Sequence, residues 1–216
     1  MDGTAAEGPV TKTNVGRLTN AIFAFTFLLL FRNIRTPAFG DFMAKASAHQ
    51  FGLNQLPDIL NFLNVFLILA MVWVIAFHVF HQIEHLDYSL LYLHLVLLML
   101  VIFIPITSNL ATVFAGNAAV SLLFHLNMLA IGVIIALEWG HCQKKTGLLR
   151  EGVPVTGTPC IRTGMLYIPL TAVAGCVMAN FDLPYTQYIY FVTMIAFAVT
   201  GLRFNGRGRK NPEAEP

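Results

Sequence analysis

Long charge-free runs separated by short polar breaks dominate the chain, and their lengths predict membrane-crossing helices. A bilayer core of roughly 30 Å takes about 20 helical residues at 1.5 Å each. Residues 59–83, between Asp58 and Glu84, carry no Asp, Glu, Lys or Arg and centre on Phe66-Leu-Ile-Leu-Ala-Met-Val-Trp73, which predicts one span. Residues 88–137 form a second run of 50. As helix it would be about 75 Å long, more than twice the core, so it must fold back. Ala115-Gly116-Asn117 is the predicted turn, with spans over 89–110 and 118–137. Residues 163–181 and 183–202 supply two more, parted by Asp182-Leu183-Pro184. The first candidate is short, with only 14 residues, 18–31, between Arg17 and Arg32. Such a helix fits if it sits inside protein or lines a water-filled path, which hints at a pore.

Composition agrees: 56% hydrophobic and 11% charged residues describe a polytopic membrane protein. A net charge of +2 leaves no basic face for nucleic acid. Cys142, Cys160 and Cys176 form no Cys-x-x-Cys pair, which argues against a disulfide scaffold or a zinc site. The polar stretch Met1–Asn14 lacks the apolar run of a signal peptide, so direct insertion of the first span is expected. Six spans put both termini on one side, and the Lys/Arg count makes it the cytoplasmic side. The inner segments then hold ten basic residues and the outer ones only Arg32, Arg35 and Lys45. The expected organisation is a polar N-terminus over 1–14, a six-helix membrane domain over 15–204 and a basic tail over 205–216. The run Arg207-Gly-Arg-Lys210 reads as an orientation signal, and the 33–57 loop, with Phe39, Phe42 and Phe51, is long enough for an outer amphipathic helix. No internal repeat supports an inverted-repeat carrier, so an aqueous path is expected between subunits of a cyclic homo-oligomer.

On a helical period Leu18, Ile22, Phe25, Leu29 and Arg32 share one face of the first helix. Meeting itself around an axis, that face would form hydrophobic rings able to gate by dewetting, but periodicity alone favours packing of the stripe within its own subunit. Thr19 and Asn20 can bond to a neighbouring helix. His78, His81 and His85, beside Glu84, raise a second chemistry: one helix face could hold iron or ligate haem in a membrane oxidoreductase, although only isolated His94, His125 and His141 could complete the set. The plainer readings are a solvated cluster or one that titrates. Pro105 and Pro169 predict kinks inside spans, with Thr107 and Ser108 placed to cap freed carbonyls. No Gly-rich phosphate loop and no Thr-Val-Gly-Tyr-Gly filter is present.

Trp73, Asp87, Leu90-Leu91 with His94, Ile104-Pro105-Ile106-Thr107 and Phe124-His-Leu-Asn127-Met-Leu agree in order and spacing with one family. Over roughly residues 15–140 the chain resembles the endosomal and lysosomal potassium channel family in its short prokaryotic form. That family's Phe-Ser-Asp signature is represented by Leu18-Thr19-Asn20, with Asn14 at the position of the basic residue and His94 where an Asn is usual. His78 lies just beyond the position beside Trp73 where the family has His. The resemblance implies a channel rather than an enzyme: a homotetramer in the lipid bilayer of a prokaryotic cell, conducting potassium, with no cofactor. It also implies first helices around the axis, with Phe25 and Leu29 as constrictions, Ile22 and Leu28 behind them, Arg32 at the outer mouth and Leu18, Thr19, Asn20, Trp73 and His78 as the motif network. Arg32 would oppose cation entry unless it turns away or pairs, with Asp41 as a candidate partner, and if it faces the axis Arg32→Ala should raise conductance.

Overall fold

The computed structural model describes residues 11–32, 48–153 and 158–208, and these are mainly helical. Helix α1 runs Lys12–Arg32, α2 Ala48–Gln82, α3 Tyr88–Val113, α4 Ala118–Lys144, α5 Pro159–Ala179 and α6 Ile189–Gly208, the last entered through a 3-10 turn at Thr186–Tyr188. Among the described residues five helices, α1 to α5, are long and apolar enough to cross a membrane, and a shorter apolar stretch covers Thr186–Thr200.

The breaks fall where the sequence puts them. Asn117 caps α4 by accepting from the Val120 amide at 3.2 Å, and Gly116 takes φ +86°, a backbone that a side chain would strain. Asp87 caps α3 through the Leu90 amide at 2.9 Å. Asp182 and Tyr185 adopt left-handed backbone between α5 and α6. The helices overrun their charge-free intervals. Helix α1 has 21 residues because Lys12 to Arg17 continue it at one end, which corrects the expected 14-residue helix. Helix α4 continues to Lys144, seven residues beyond the expected end at Leu137. Helix α2 begins at Ala48, so residues 48–57 of the expected outer loop are helical, whereas 33–47 lie outside the described residues.

The main apolar cluster is shared by all the helices, with Ile68, Leu69, Val72, Leu97, Val101, Phe124 and Ile135 fully buried in it, and a second, smaller one gathers Val79, Ile83, Leu90, Trp139, Cys142 and Ile161. Helix α4 lies between α3 and α5, and α1 leans on α2 and α3. Three crossings are close because a glycine lies there. A Cβ on Gly132 of α4 would come within 2.9 Å of the Pro169 ring of α5. One on Gly175 of α5 would sit on the His125 ring, and one on Gly164 would meet Ile75 of α2. Small residues let apolar helices approach where burial from lipid offers little drive.

The start of α1, the end of α2, the start of α3 and the end of α4 meet at one end of the bundle. The loop after α4 is laced to α2 there: Glu84 N–H donates to the Leu148 carbonyl at 2.7 Å and Arg150 N–H to Gln82 at 2.9 Å. Lys12 Nζ donates to the Ile83 carbonyl. Asp87 accepts from Lys145 Nζ and is paired with His141 Nε2, both at 2.8 Å. Burial pushes the Asp87 carboxyl up, but the bonds to Lys145, His141 and the Leu90 amide outweigh it and hold the group below its ordinary range.

Candidate functional site

Helix α1 is the least enclosed span, with 28% of its apolar window buried against 39–50% in the other four. Its sequence divides into two faces. Val15, Thr19, Phe23, Thr26 and Leu30 are buried, a spacing of four and three that places them on one stripe. Leu18, Phe25, Leu28 and Phe31 are exposed, Leu28 by 66%, and Ala21 and Ala24 lie among them. The outward line therefore runs through Leu18, Ala21, Phe25 and Leu28. Ile22 packs against the core and Leu29 is half-buried, so these two expected constriction residues sit at the margin of the exposed face. Arg32 ends α1, and Asp41 lies outside the described residues.

Within the apolar part of α1, Thr19 and Thr26 are turned away from that line and Asn20 is tied at its edge. Trp73 Nε1–H of α2 donates to Asn20 Oδ1 at 3.1 Å. Thr19 Oγ1 meets the Val15 carbonyl at 2.8 Å and also His94 Nε2 of α3 at 2.8 Å. His94 Nδ1 meets Glu138 Oε1 of α4 at 3.0 Å, so three side chains join α1, α3 and α4. All three are buried, His94 and Glu138 completely. The one Thr19 hydroxyl hydrogen goes either to the Val15 carbonyl or to His94 Nε2, and the tautomer of the ring follows from which. A carboxyl group this deep in an apolar interior is held by such a bond, since burying it alone would be costly. Among the described residues Glu138 Oε2 and the Trp139 indole N–H beside it in the chain have no hydrogen-bond partner.

The motif network thus assembles in part. Thr19, Asn20 and Trp73 reach neighbouring helices, whereas Leu18 is exposed and His78 Nδ1 is spent on its own helix, at the Val74 carbonyl at 2.8 Å. Glu138 was missed as a site residue because a carboxylate after 50 charge-free residues reads as the end of a span. The signal that could have placed it inside is the more plainly charged pair Lys144-Lys145 six residues on. His78, His81 and His85 are not a metal cluster: His81 and His85 are exposed, His85 beyond the end of α2, and among the described residues no group of three or more His, Cys, Asp or Glu side chains could hold an ion. The oxidoreductase alternative built on His78, His81 and His85 has no support.

Toward the opposite end of the bundle a second buried network is built from amide and hydroxyl side chains. Ser108 donates to Asn61 Oδ1 at 2.6 Å, Gln187 Nε2 to Thr112 Oγ1 at 3.1 Å and Asn64 Nδ2 to the Gln187 carbonyl at 3.1 Å. His125 Nε2 meets Thr186 Oγ1 at 2.9 Å. Of the two hydroxyls expected to cap carbonyls near Pro105, Thr107 bonds to Phe103 and Ile104, but Ser108 is committed to Asn61 across the helix pair.

Residues 14–105 match the family model described as endosomal/lysosomal potassium channel TMEM175. The match covers α1, α2 and α3 as far as Pro105, so Phe124-His-Leu-Asn127 lies beyond it. No curated protein matches the chain. The fold is similar to the crystal structure of a lysosomal potassium-selective channel TMEM175 homolog from Chamaesiphon minutus, with a TM-score of 0.68 and 18% identity over 89% of this chain and 97% of that one. The resemblance read from Trp73, Asp87 and the Leu18-Thr19-Asn20 segment is shown by the family match, and the structural likeness shows a shared fold.

Proposed function

Proceeding from that match, we propose that the chain is a potassium-permeable channel subunit, acting as a homotetramer whose α1 helices surround the conduction path. The observation that carries this reading is the face of α1 through Leu18, Ala21, Phe25 and Leu28, apolar and exposed along the helix while Thr19, Asn20 and Thr26 bond elsewhere. Four such faces around an axis give rings of bulky side chains, with Phe25 and Leu28 narrowest and Ile22 and Leu29 supporting them from the margin. Hydrophobic rings of this kind hold or release water according to their radius, so conduction does not require a carbonyl filter. The implied setting is a prokaryotic cell membrane, crossed six times, with residues 1–14 and the basic tail 205–216 in the cytoplasm. The Lys/Arg asymmetry supports that orientation, because Lys12, Lys145 and Arg150 meet at one end of the bundle.

The test is ion flux from proteoliposomes loaded with potassium or sodium, with Phe25→Ala, Leu28→Ala and Leu29→Ala beside the parent protein. Potassium should leave faster than sodium, Phe25→Ala and Leu28→Ala should change the rate severalfold, and Leu29→Ala should change it less. Absence of flux from intact oligomers of every variant would make the chain a non-conducting relative, and equal flux in all four would remove α1 from the path.

A further inference from the structure

A cavity of about 410 Å³ opens between α1 and α2 at the laced end of the bundle. Its chemistry is divided. Trp73, Phe77 and Phe80 form an aromatic wall, and Lys12 and Arg150 bring two cations to the rim. No carboxylate is among the described residues that line it. The cations keep donors to spare. Lys12 gives one N–H to the neutral Ile83 carbonyl, and Arg150 pairs through Nε with Glu84 at 3.2 Å, leaving its terminal N–H groups. Gly16 also lines the cavity, and a Cβ built on it meets nothing within 4 Å. A glycine inside a helix is unfavourable relative to alanine, and here neither a close crossing nor a left-handed backbone requires it. What its missing side chain does is leave the cavity open.

We propose that this cavity binds a lipid with an anionic phosphate headgroup, the phosphate between Lys12 and Arg150 and the glycerol and first acyl carbons along Trp73 and Phe77. The division of the walls fits an amphiphile better than a soluble anion, since Phe77 and Trp73 are exposed farther into the α2 span, which ends at Gln82, than the cations at its end. Thr19 and Asn20 line the same space, so an occupant stands against the residues that tie α1 to α2 and α3. The inference rests on the bundle spanning a membrane and not on conduction, so a silent flux assay leaves it standing.

The experiment is thermal unfolding of the purified oligomer in detergent with phosphatidylglycerol, phosphatidylcholine or inorganic phosphate added. Phosphatidylglycerol should raise the midpoint in a saturable way and phosphatidylcholine much less. Gly16→Leu, which grows into open space and should not lower the lipid-free midpoint, should abolish the lipid-dependent shift. Lys12→Gln and Arg150→Gln should each weaken apparent affinity by roughly fivefold. Equal shifts from both lipids, or a phosphatidylglycerol shift that survives in Gly16→Leu and in the double Gln variant, would overturn the site. A full shift from inorganic phosphate alone would make the ligand a soluble anion. Dissociation of the oligomer by Gly16→Leu would show that a neighbouring subunit fills the cavity, which also overturns the proposal.

Discussion

Helices α1 and α4 are both long and apolar, 21 and 27 residues, yet they spend their polar groups differently. In α4 the polar side chains are distributed along the helix and bond outward to others: His125 to Thr186, Asn127 Nδ2 to the Leu100 carbonyl and Glu138 to His94. Gly132 adds a close crossing that fixes the distance to α5. In α1 the bonds to other helices gather near one end, at Thr19 and Asn20, and Thr26 is satisfied by its own Ile22 carbonyl. Beyond them α1 is held by apolar contacts such as Phe27 with Phe66, ring centres 5.0 Å apart. A helix keyed along its length is fixed against its neighbours, whereas one tied near an end leaves an apolar face uncovered. The contrast is what a scaffold and a pore helix would each need.

The same substitution in the two helices should act in opposite senses. Gly132→Ala pushes a methyl into the rigid Pro169 ring and should lower stability by about 1–3 kcal/mol, seen as a lower midpoint in detergent. Gly16→Ala enters open space and should be neutral or raise stability by about 0.5–1 kcal/mol. Equal effects would dissolve the distinction between the helices.

The tether that joins them comes next. Glu138→Ala leaves buried His94 without its partner and should cost about 1–3 kcal/mol, with Glu138→Gln losing less because it keeps an acceptor. Thr19→Val, which removes only the α1 end of the chain of bonds, should cost about 1 kcal/mol. A midpoint unmoved by Glu138→Ala would mean that the pair does not tie α4 to α3.

The smallest expected effect belongs to the lock between α3 and the end of α4. Because the folded-state value of Asp87 is depressed, its charge stabilises fully above the unfolded value, near 3.8, and the contribution fades as pH falls through the folded value. Asp87→Asn keeps a helix cap but loses the charge. The midpoint gap between it and the parent should therefore be constant from pH 7 to about pH 4 and close below that. A gap that closes between pH 8 and pH 6 would place the effect on another group.

Much of the fold was legible because insertion selects on one-dimensional quantities. The break at Gly116-Asn117, the break at Asp182 and the core of α2 follow from where charges and turn formers stand. The site was legible only where local chemistry had one outlet. Trp73 and Asn20 were singled out through the resemblance, and they meet. Helical periodicity placed Ile22 and Leu29 with Phe25, but a stripe of that spacing is too wide to say which edge faces the neighbours, and α2 and α3 cover the Ile22 edge. His78 resembled a network member by position, yet its ring bonds to its own backbone.

The sequence by itself determined that the chain is a helical membrane protein, where most helices begin and turn, and which family it resembles, since hydropathy, charge and spacing are written along the chain. Only the tertiary structure decided that Glu138 is buried rather than interfacial and that one face of α1 is left open. A carboxylate in an apolar interior depends on a partner, and His94 lies 44 residues away on another helix. An exposed face exists only once the other helices have taken their places, and no pattern read along a single helix contains that information.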